Sequence, residues 1–153
     1  MNQELIKLTN EYLSNILTLY MKIHHLHWNI YGKEFKEVHK YLEELYNECH
    51  NELDEIAEII IIKKNKPISS LKECLALSEI EELTNNSVDI NEALRILLKD
   101  IEFMKTKALK IKELSDQENI FSLSNKLEDY VSKYEKNIWF ISSMLGGKGY
   151  VFD

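Results

Sequence analysis

In four long segments of this chain, apolar residues recur every three or four positions, which is the spacing typical of helices. The chain contains few residues of the types that break a helix. The 153 residues include one proline, Pro67, and four glycines, three of which lie at positions 146–149. Because proline and glycine are the residues that most often break regular structure, the segments predict long helices. With 44% hydrophobic residues, the chain has enough apolar side chains for one well-buried core, which predicts a single domain over residues 1–153.

The connections between the segments predict how the helices are arranged. Short connections join the first segment to the second and the third to the fourth, whereas the connection from the second to the third is long enough to cross a bundle. This long connection holds a candidate short helix at residues 70–78, where Glu73 can form a capping box with Ser70. We therefore predict an all-α, up-down-down-up four-helix bundle with a short helix in the crossover between helices two and three, which is the ferritin-like arrangement. The apolar stripes occupy residues 5–30, 35–60, 90–111 and 120–145.

The second segment contains two pairs of residues that commonly bind metal ions. The first pair is His39 and Glu43. The second pair is Asp54 and Glu58. A spacing of four places both members of a pair on one face of a helix, but the two pairs are separated by roughly 16 Å along the helix axis. One chain therefore cannot bring both pairs to one metal ion. Mixed imidazole and carboxylate ligands suit iron, manganese or zinc.

A second copy of the chain is predicted to complete the site. If two such helices cross antiparallel at a two-fold axis near Glu48 and Cys49, the pair at His39 of one chain lies opposite the pair at Asp54 of the other. Two equivalent sites per dimer result. An ordinary ferritin site inside one bundle is not predicted, because that site uses Glu-x-x-His motifs and none of the five histidines has glutamate three residues before it.

A fifth candidate ligand, His27, lies near the end of the first segment in the sequence HLHWN. With the step of 12 residues to His39 and the sequence DEIAE that ends at Glu58, this pattern resembles the Dps family of ferritin-like proteins. The likeness covers nearly the whole chain, including PISSLKE at 67–73 and KNIWFISSMLG at 136–146. The resemblance implies a hollow dodecamer, built from two-fold dimers, that oxidises ferrous iron preferably with hydrogen peroxide and stores the ferric product. It also implies that each site is shared between two chains and binds two iron ions through His27, His39, Glu43, Asp54 and Glu58.

The chain departs from the family pattern at the predicted site and at the predicted pore. The family usually has aspartate where this chain has Glu43, and the longer side chain is expected to shift the second iron ion. At the three-fold pore, Glu118 is a candidate substitute for missing acidic residues, because only the first of the matching positions is acidic. Those positions are Asp116, Phe121 and Asn125.

Several residues near the candidate ligands are predicted to have structural roles. Trp28, beside His27, has two interpretations, a packing residue or a one-electron donor to stray oxidants, and packing is the prediction. The two cysteines have no zinc-binding spacing and are predicted to be small buried hydrophobes. The residues predicted to pack are Tyr20, Tyr31, Tyr46, Cys49 and Cys74.

The charge balance and the termini restrict the partners. A formal net charge of −7 and the absence of a lysine-rich tail argue against DNA, because phosphate binding depends on Lys and Arg. No apolar run is long enough for a membrane span, and two cysteines are too few for a disulfide framework, so a cytoplasmic protein is expected. The predicted partners are ferrous iron, hydrogen peroxide and further copies of the chain. The alternatives are a DNA-coating nucleoid protein and a helical assembly protein without catalysis.

Overall fold

Helices make up most of the computed structural model, which describes residues 1–84 and 86–146. The four long helices and the short crossover helix are all present, so the predicted all-α fold class is confirmed. The sequence predicts that the last helix ends at Gly146 and Gly147, and Gly147 lies outside the described residues. The helices are α1 (Gln3–Asn29), α2 (Phe35–Ile62), α3 (Leu71–Leu77), α4 (Ile90–Gln117) and α5 (Phe121–Met144).

Side-chain caps fix the starts of three helices. The Asn2 side chain accepts a hydrogen bond from the Leu5 amide at 2.8 Å, and Asp89 caps α4 through the amides of its first turn. The predicted cap at Ser70 is present, since the Glu73 amide donates to the Ser70 hydroxyl at 3.2 Å. The Glu73 carboxylate accepts a hydrogen bond from the Ser69 amide at 2.9 Å and another from the Ser70 hydroxyl at 3.2 Å. The short helix therefore begins where the sequence predicts.

Contacts at the two ends of the bundle establish the helix directions. Two short strands, β1 (Ile30–Tyr31) and β2 (Val88–Asp89), pair in parallel and bring the end of α1 beside the start of α4. At the other end, the Glu118 carboxylate accepts a hydrogen bond from the Asn2 amide at 2.9 Å. The crossover thus runs the length of the bundle, and the up-down-down-up order is as predicted. The two strands were not predicted, because a two-residue strand leaves no periodic pattern.

The core consists of the apolar stripes of the four long helices, with few exceptions. Phe35 was assigned to the second stripe, but it is 41% exposed because it is the first residue of α2, at the edge of the bundle. Cys49 and Cys74 are buried and unpaired, as predicted. Within residues 1–84 and 86–146, no helix combines the length and apolar character that a membrane span requires.

Buried polar groups join the helices in ways that the periodicity does not indicate. Lys22 of α1 and Asp100 of α4 form an ion pair at 2.6 Å. In the middle of the bundle, the Tyr12 hydroxyl is hydrogen-bonded to the Tyr134 hydroxyl, which donates to the Glu52 carboxylate at 3.1 Å. Burial raises the pKa of Glu52 to about 8. At neutral pH this side chain is therefore mostly protonated and uncharged inside the bundle.

We expect Glu52 to make the free energy of unfolding fall as the pH rises. Its pKa is about 8 in the folded chain and returns to about 4.3 on unfolding. Between those pH values the folded state holds a proton that the unfolded state has lost, so stability is greatest below the lower pKa and decreases up to the higher one. Glu52→Gln keeps the uncharged form at every pH. Denaturant unfolding at fixed protein concentration should show a flatter pH dependence and higher stability above pH ~8 for Glu52→Gln.

The matched control is Glu44→Gln, which changes an exposed glutamate on the same helix. It should retain the parent's dependence on pH. Equal slopes for the parent and Glu52→Gln would show that Glu52 is not the group responsible.

Candidate metal centre

His27 and His39 lie side by side where the end of α1 packs against the start of α2. Their rings stack with centroids 3.6 Å apart and an angle of 14° between the planes. Nδ1 of His27 is 2.7 Å from the carbonyl oxygen of His39, and Nδ1 of His39 is 2.8 Å from the carbonyl oxygen of His27. Because a carbonyl oxygen only accepts, each Nδ1 donates a proton. An imidazole that keeps its proton on Nδ1 binds a metal ion through Nε2, so this tautomer leaves Nε2 of each ring as the metal-binding atom.

The three candidate carboxylates lie on the exposed surface of α2. Glu43 is one helical turn beyond His39, and its Oε1 accepts a hydrogen bond from the Tyr46 hydroxyl at 3.2 Å. Asp54 and Glu58 are exposed further along the same helix. The structure thus brings His27 to His39 and leaves the Asp54 pair about three turns beyond Glu43.

No group of three or more His, Cys, Asp or Glu side chains within residues 1–84 and 86–146 could hold a metal ion by itself. Helical spacing separates the His39 pair from the Asp54 pair along α2. A single copy of the chain therefore presents the candidate ligands in two separate places.

Glu48 and Cys49, the residues nearest the proposed two-fold axis, have side chains that do not point outward. The Glu48 carboxylate accepts a hydrogen bond from the Asn137 amide of α5 at 3.3 Å, and Cys49 is buried. Both side chains therefore face the chain's own bundle. At this level of α2 the exposed side chains are those of Asn47, His50 and Asn51. A partner helix crossing here would meet those three residues.

Tyr46 and His24, two aromatic residues beside the candidate ligands, form contacts that were not predicted. Tyr46 was predicted only to pack, yet its hydroxyl is bonded to Glu43. Its ring stacks on His24 with centroids 3.8 Å apart and lies edge-on to His27 at 5.3 Å. Burial, with a smaller contribution from His27, lowers the pKa of His24, which favours its uncharged form beside the candidate ligands. The spacings Glu43 to Tyr46 and His24 to His27, both three residues, were the available signals.

Two further aromatic predictions have different outcomes. Tyr20 is half-buried and lies edge-on to His24, so its packing role is confirmed. Tyr31 is 54% exposed, so its assignment as a packing residue is wrong for the single chain. Successive side chains of a strand point to opposite faces, and in β1 Ile30 is buried whereas Tyr31 points away from the core.

The acidic residues assigned to the predicted pore already have partners. Asp116 accepts hydrogen bonds from Lys112 at 2.9 Å and from the Ser124 hydroxyl. Glu118 accepts from the Asn2 amide and lies 3.8 Å from the amino terminus. Glu118 therefore joins the end of α4 to the start of the chain, and its role at the pore stays a prediction.

Comparisons of sequence and of structure with known proteins agree. The model of the ferritin-like domain family matches residues 6–147. DNA protection during starvation protein 2 of Bacillus anthracis is 30% identical over 145 residues, which are 95% of this chain and 99% of that protein. The crystal structure of antigen TpF1 from Treponema pallidum has a TM-score of 0.90 and 30% identity, covering 93% of this chain and 91% of that one.

A third relative belongs to a wider class of metal-binding proteins, which its description names. The structure of the Dps protein of Vibrio cholerae O1 has a TM-score of 0.88 and 31% identity, covering 94% of this chain and 89% of that one. That protein is described as a member of a broad superfamily of ferritin-like diiron-carboxylate proteins. The helix order and the mixed imidazole and carboxylate groups of α1 and α2 are consistent with that class. The chain belongs to the ferritin-like domain family and, within it, to the Dps proteins.

Proposed function

We propose that this chain is a ferroxidase that binds two ferrous ions per site, oxidises them preferentially with hydrogen peroxide and stores the ferric product in a hollow dodecamer built from two-fold dimers. The pair of histidines carries the proposal. Reciprocal hydrogen bonds hold both Nδ1 atoms and keep both Nε2 atoms for metal ions. In this proposal the ligands are His27, His39 and Glu43 of one chain with Asp54 and Glu58 of its partner.

The ligand types suit iron oxidation. Carboxylates offset the positive charge that increases when Fe(II) becomes Fe(III), and imidazole binds either oxidation state. Two neighbouring ferrous ions supply the two electrons that, with two protons, reduce one hydrogen peroxide molecule to two water molecules. One-electron reduction, which releases hydroxyl radical, is thereby avoided. This chemistry protects nearby molecules from iron and peroxide together.

Exposed apolar side chains beside the ligands support the shared site. Trp28 adjoins His27 in sequence and is 62% exposed, while Ile62 follows Glu58 by one helical turn and is 70% exposed. Trp28 and Ile62 lie near opposite ends of α2, so an antiparallel copy would bring Trp28 of one chain toward Ile62 of the other and form a patch of the kind that partners cover. A second copy packed over α2 covers these residues at the same time as it completes the site.

The test of this function is anaerobic loading with Fe(II) followed by a pulse of hydrogen peroxide. Ferric absorbance and particle mass are recorded together. The proposal expects rapid oxidation with peroxide, much slower oxidation with oxygen, and retention of the ferric product in the particle. A helical assembly protein without catalysis would leave the rate at that of free iron.

We expect no appreciable binding of duplex DNA at about 150 mM salt, where the phosphate contribution to binding depends on the cationic groups that displace counterions. Each copy contributes a formal charge of −7, so an assembly repels DNA at long range. A gel-shift titration with a chelator, to prevent bridging by divalent ions, measures this directly. A basic protein of similar size serves as the positive control. Retarded DNA under these conditions would favour the DNA-coating alternative.

We further propose that the chain functions in the cytoplasm as one domain over residues 1–153. Cys49 and Cys74 are unpaired and buried, which is consistent with a reducing compartment. The family model spans residues 6–147, which leaves no segment long enough for a second domain within the sequence.

A further inference from the structure

Tyr46 contacts two candidate ligands that come from different helices. Its hydroxyl donates to Oε1 of Glu43 on α2 at 3.2 Å, and its ring lies edge-on to His27 on α1. We propose that Tyr46 is a positioning residue of the metal site, which fixes one carboxylate oxygen of Glu43 and leaves Oε2 for the metal ion. This inference rests on the proposed function.

The ring of Tyr46 is itself held from the α1 side. It stacks on His24, with centroids 3.8 Å apart and 20° between the planes, and Tyr20 lies edge-on to it at 6.2 Å. Nδ1 of His24 is buried without a hydrogen-bond partner among the residues that the structure describes. Ring packing is therefore the contact that connects His24 to Tyr46. Because His24 precedes His27 by about one turn of α1, the stack joins the two helices at the level of the ligands.

Glu43 needs such support more than a shorter ligand does. Its side chain is exposed, and ordering a glutamate costs conformational entropy that would otherwise oppose metal binding. A tyrosine side chain on a helix points toward the N-terminal end, which brings the Tyr46 hydroxyl back to a residue three positions earlier. The hydrogen bond holds Glu43 before the metal ion arrives. Loss of the hydroxyl should reduce metal affinity without loss of the fold.

A double-mutant cycle on the assembled protein tests this role. The variants are Tyr46→Phe, Glu43→Asp and the two combined, and the probe is Co(II), measured by calorimetry and visible absorption. We expect Tyr46→Phe to weaken Co(II) binding about tenfold, the range typical of outer-shell hydrogen bonds. In the Glu43→Asp background, the same change should cost less than about twofold, because the shorter carboxylate does not reach the hydroxyl. Equal losses in both backgrounds would reveal a structural effect unrelated to Glu43.

Two further sets of variants provide controls. Tyr20→Phe removes a hydroxyl from the same aromatic cluster and should bind Co(II) like the parent. His24→Ala removes the stacked ring and should weaken binding about as much as Tyr46→Phe does, whereas His24→Phe should restore it. These His24 variants also decide the question if Tyr46→Phe fails to assemble. Parent-like binding by His24→Ala would contradict the inference.

The results distinguish a failure of the proposed function from a failure of the positioning role alone. If the parent chain binds neither Co(II) nor Fe(II), the proposed function is wrong. If the parent binds both and Tyr46→Phe binds equally well, only the positioning role is wrong. Melting temperature and particle mass, measured for every variant, show whether a loss of affinity reflects a loss of assembly.

Discussion

Replacing Asp54 by alanine should slow peroxide-driven oxidation of Fe(II) by more than about 100-fold, because loss of a direct ligand exceeds the 10- to 100-fold cost of losing an outer-shell partner. The side chain is exposed on α2, so its removal should change the free energy of unfolding by less than about 0.5 kcal/mol. Stopped-flow absorbance after anaerobic loading measures the rate. Thermal unfolding and particle mass measure the fold and the assembly.

Asp129→Ala is the matched control, since it removes an exposed aspartate from the middle of α5. It should oxidise iron at the parent's rate. If Asp54→Ala assembles and oxidises iron as fast as Asp129→Ala, Asp54 is not a ligand and the site assignment is wrong.

His39→Ala should lose as much iron-oxidising activity as Asp54→Ala, for two reasons. It removes one Nε2 ligand, and it also removes the Nδ1 donor that is hydrogen-bonded to the carbonyl oxygen of His27. The stacked ring that positions His27 disappears with it. Because of these lost contacts, we expect a modest decrease in stability for His39→Ala and none for Asp54→Ala.

The helices and their order could be predicted because their causes are local. Apolar residues recur at helical spacing over four segments, and capping residues such as Ser70 and Asp89 stand directly before helices. Pro67 and the length of the crossover then limit the possible topologies. These features depend on neighbours in sequence, which a single chain displays.

The contacts between side chains of different helices could not be predicted in the same way. Tyr46 and His24 are 22 positions apart and meet only because α1 packs against α2 in a particular register. The buried Glu52 looks like any other helical glutamate until Tyr12 and Tyr134 are placed beside it. Such contacts depend on which side chains of distant segments meet, and hydrophobic periodicity carries no information about that choice.

The candidate ligands could be predicted in part from the sequence. The spacing of four within each pair predicts which side chains share a face of α2, and the structure shows His27 beside His39. Pairing with a second chain is a geometric argument, since one helix keeps Glu43 and Asp54 roughly 16 Å apart. The shared site is therefore the central proposal that an experiment must decide.

Complementation between inactive variants should restore activity if two chains share each site. A His39→Ala dimer and an Asp54→Ala dimer each lack a ligand in every site. In a mixed dimer, one site carries both changes and the other carries neither. Under random pairing, half of the dimers are mixed, so about a quarter of all sites should be intact.

The direct measurement is to unfold the two variants together at equal concentration, refold them and record peroxide-driven oxidation of Fe(II) in the assembled particles. Each variant refolded alone is the control for incomplete inactivation, and the refolded parent defines full activity. The shared site predicts about a quarter of the parent's activity in the mixture. Particles of full size with no more activity than the separate variants would contradict it, because ligands that all belong to one chain leave every site with its own lesion.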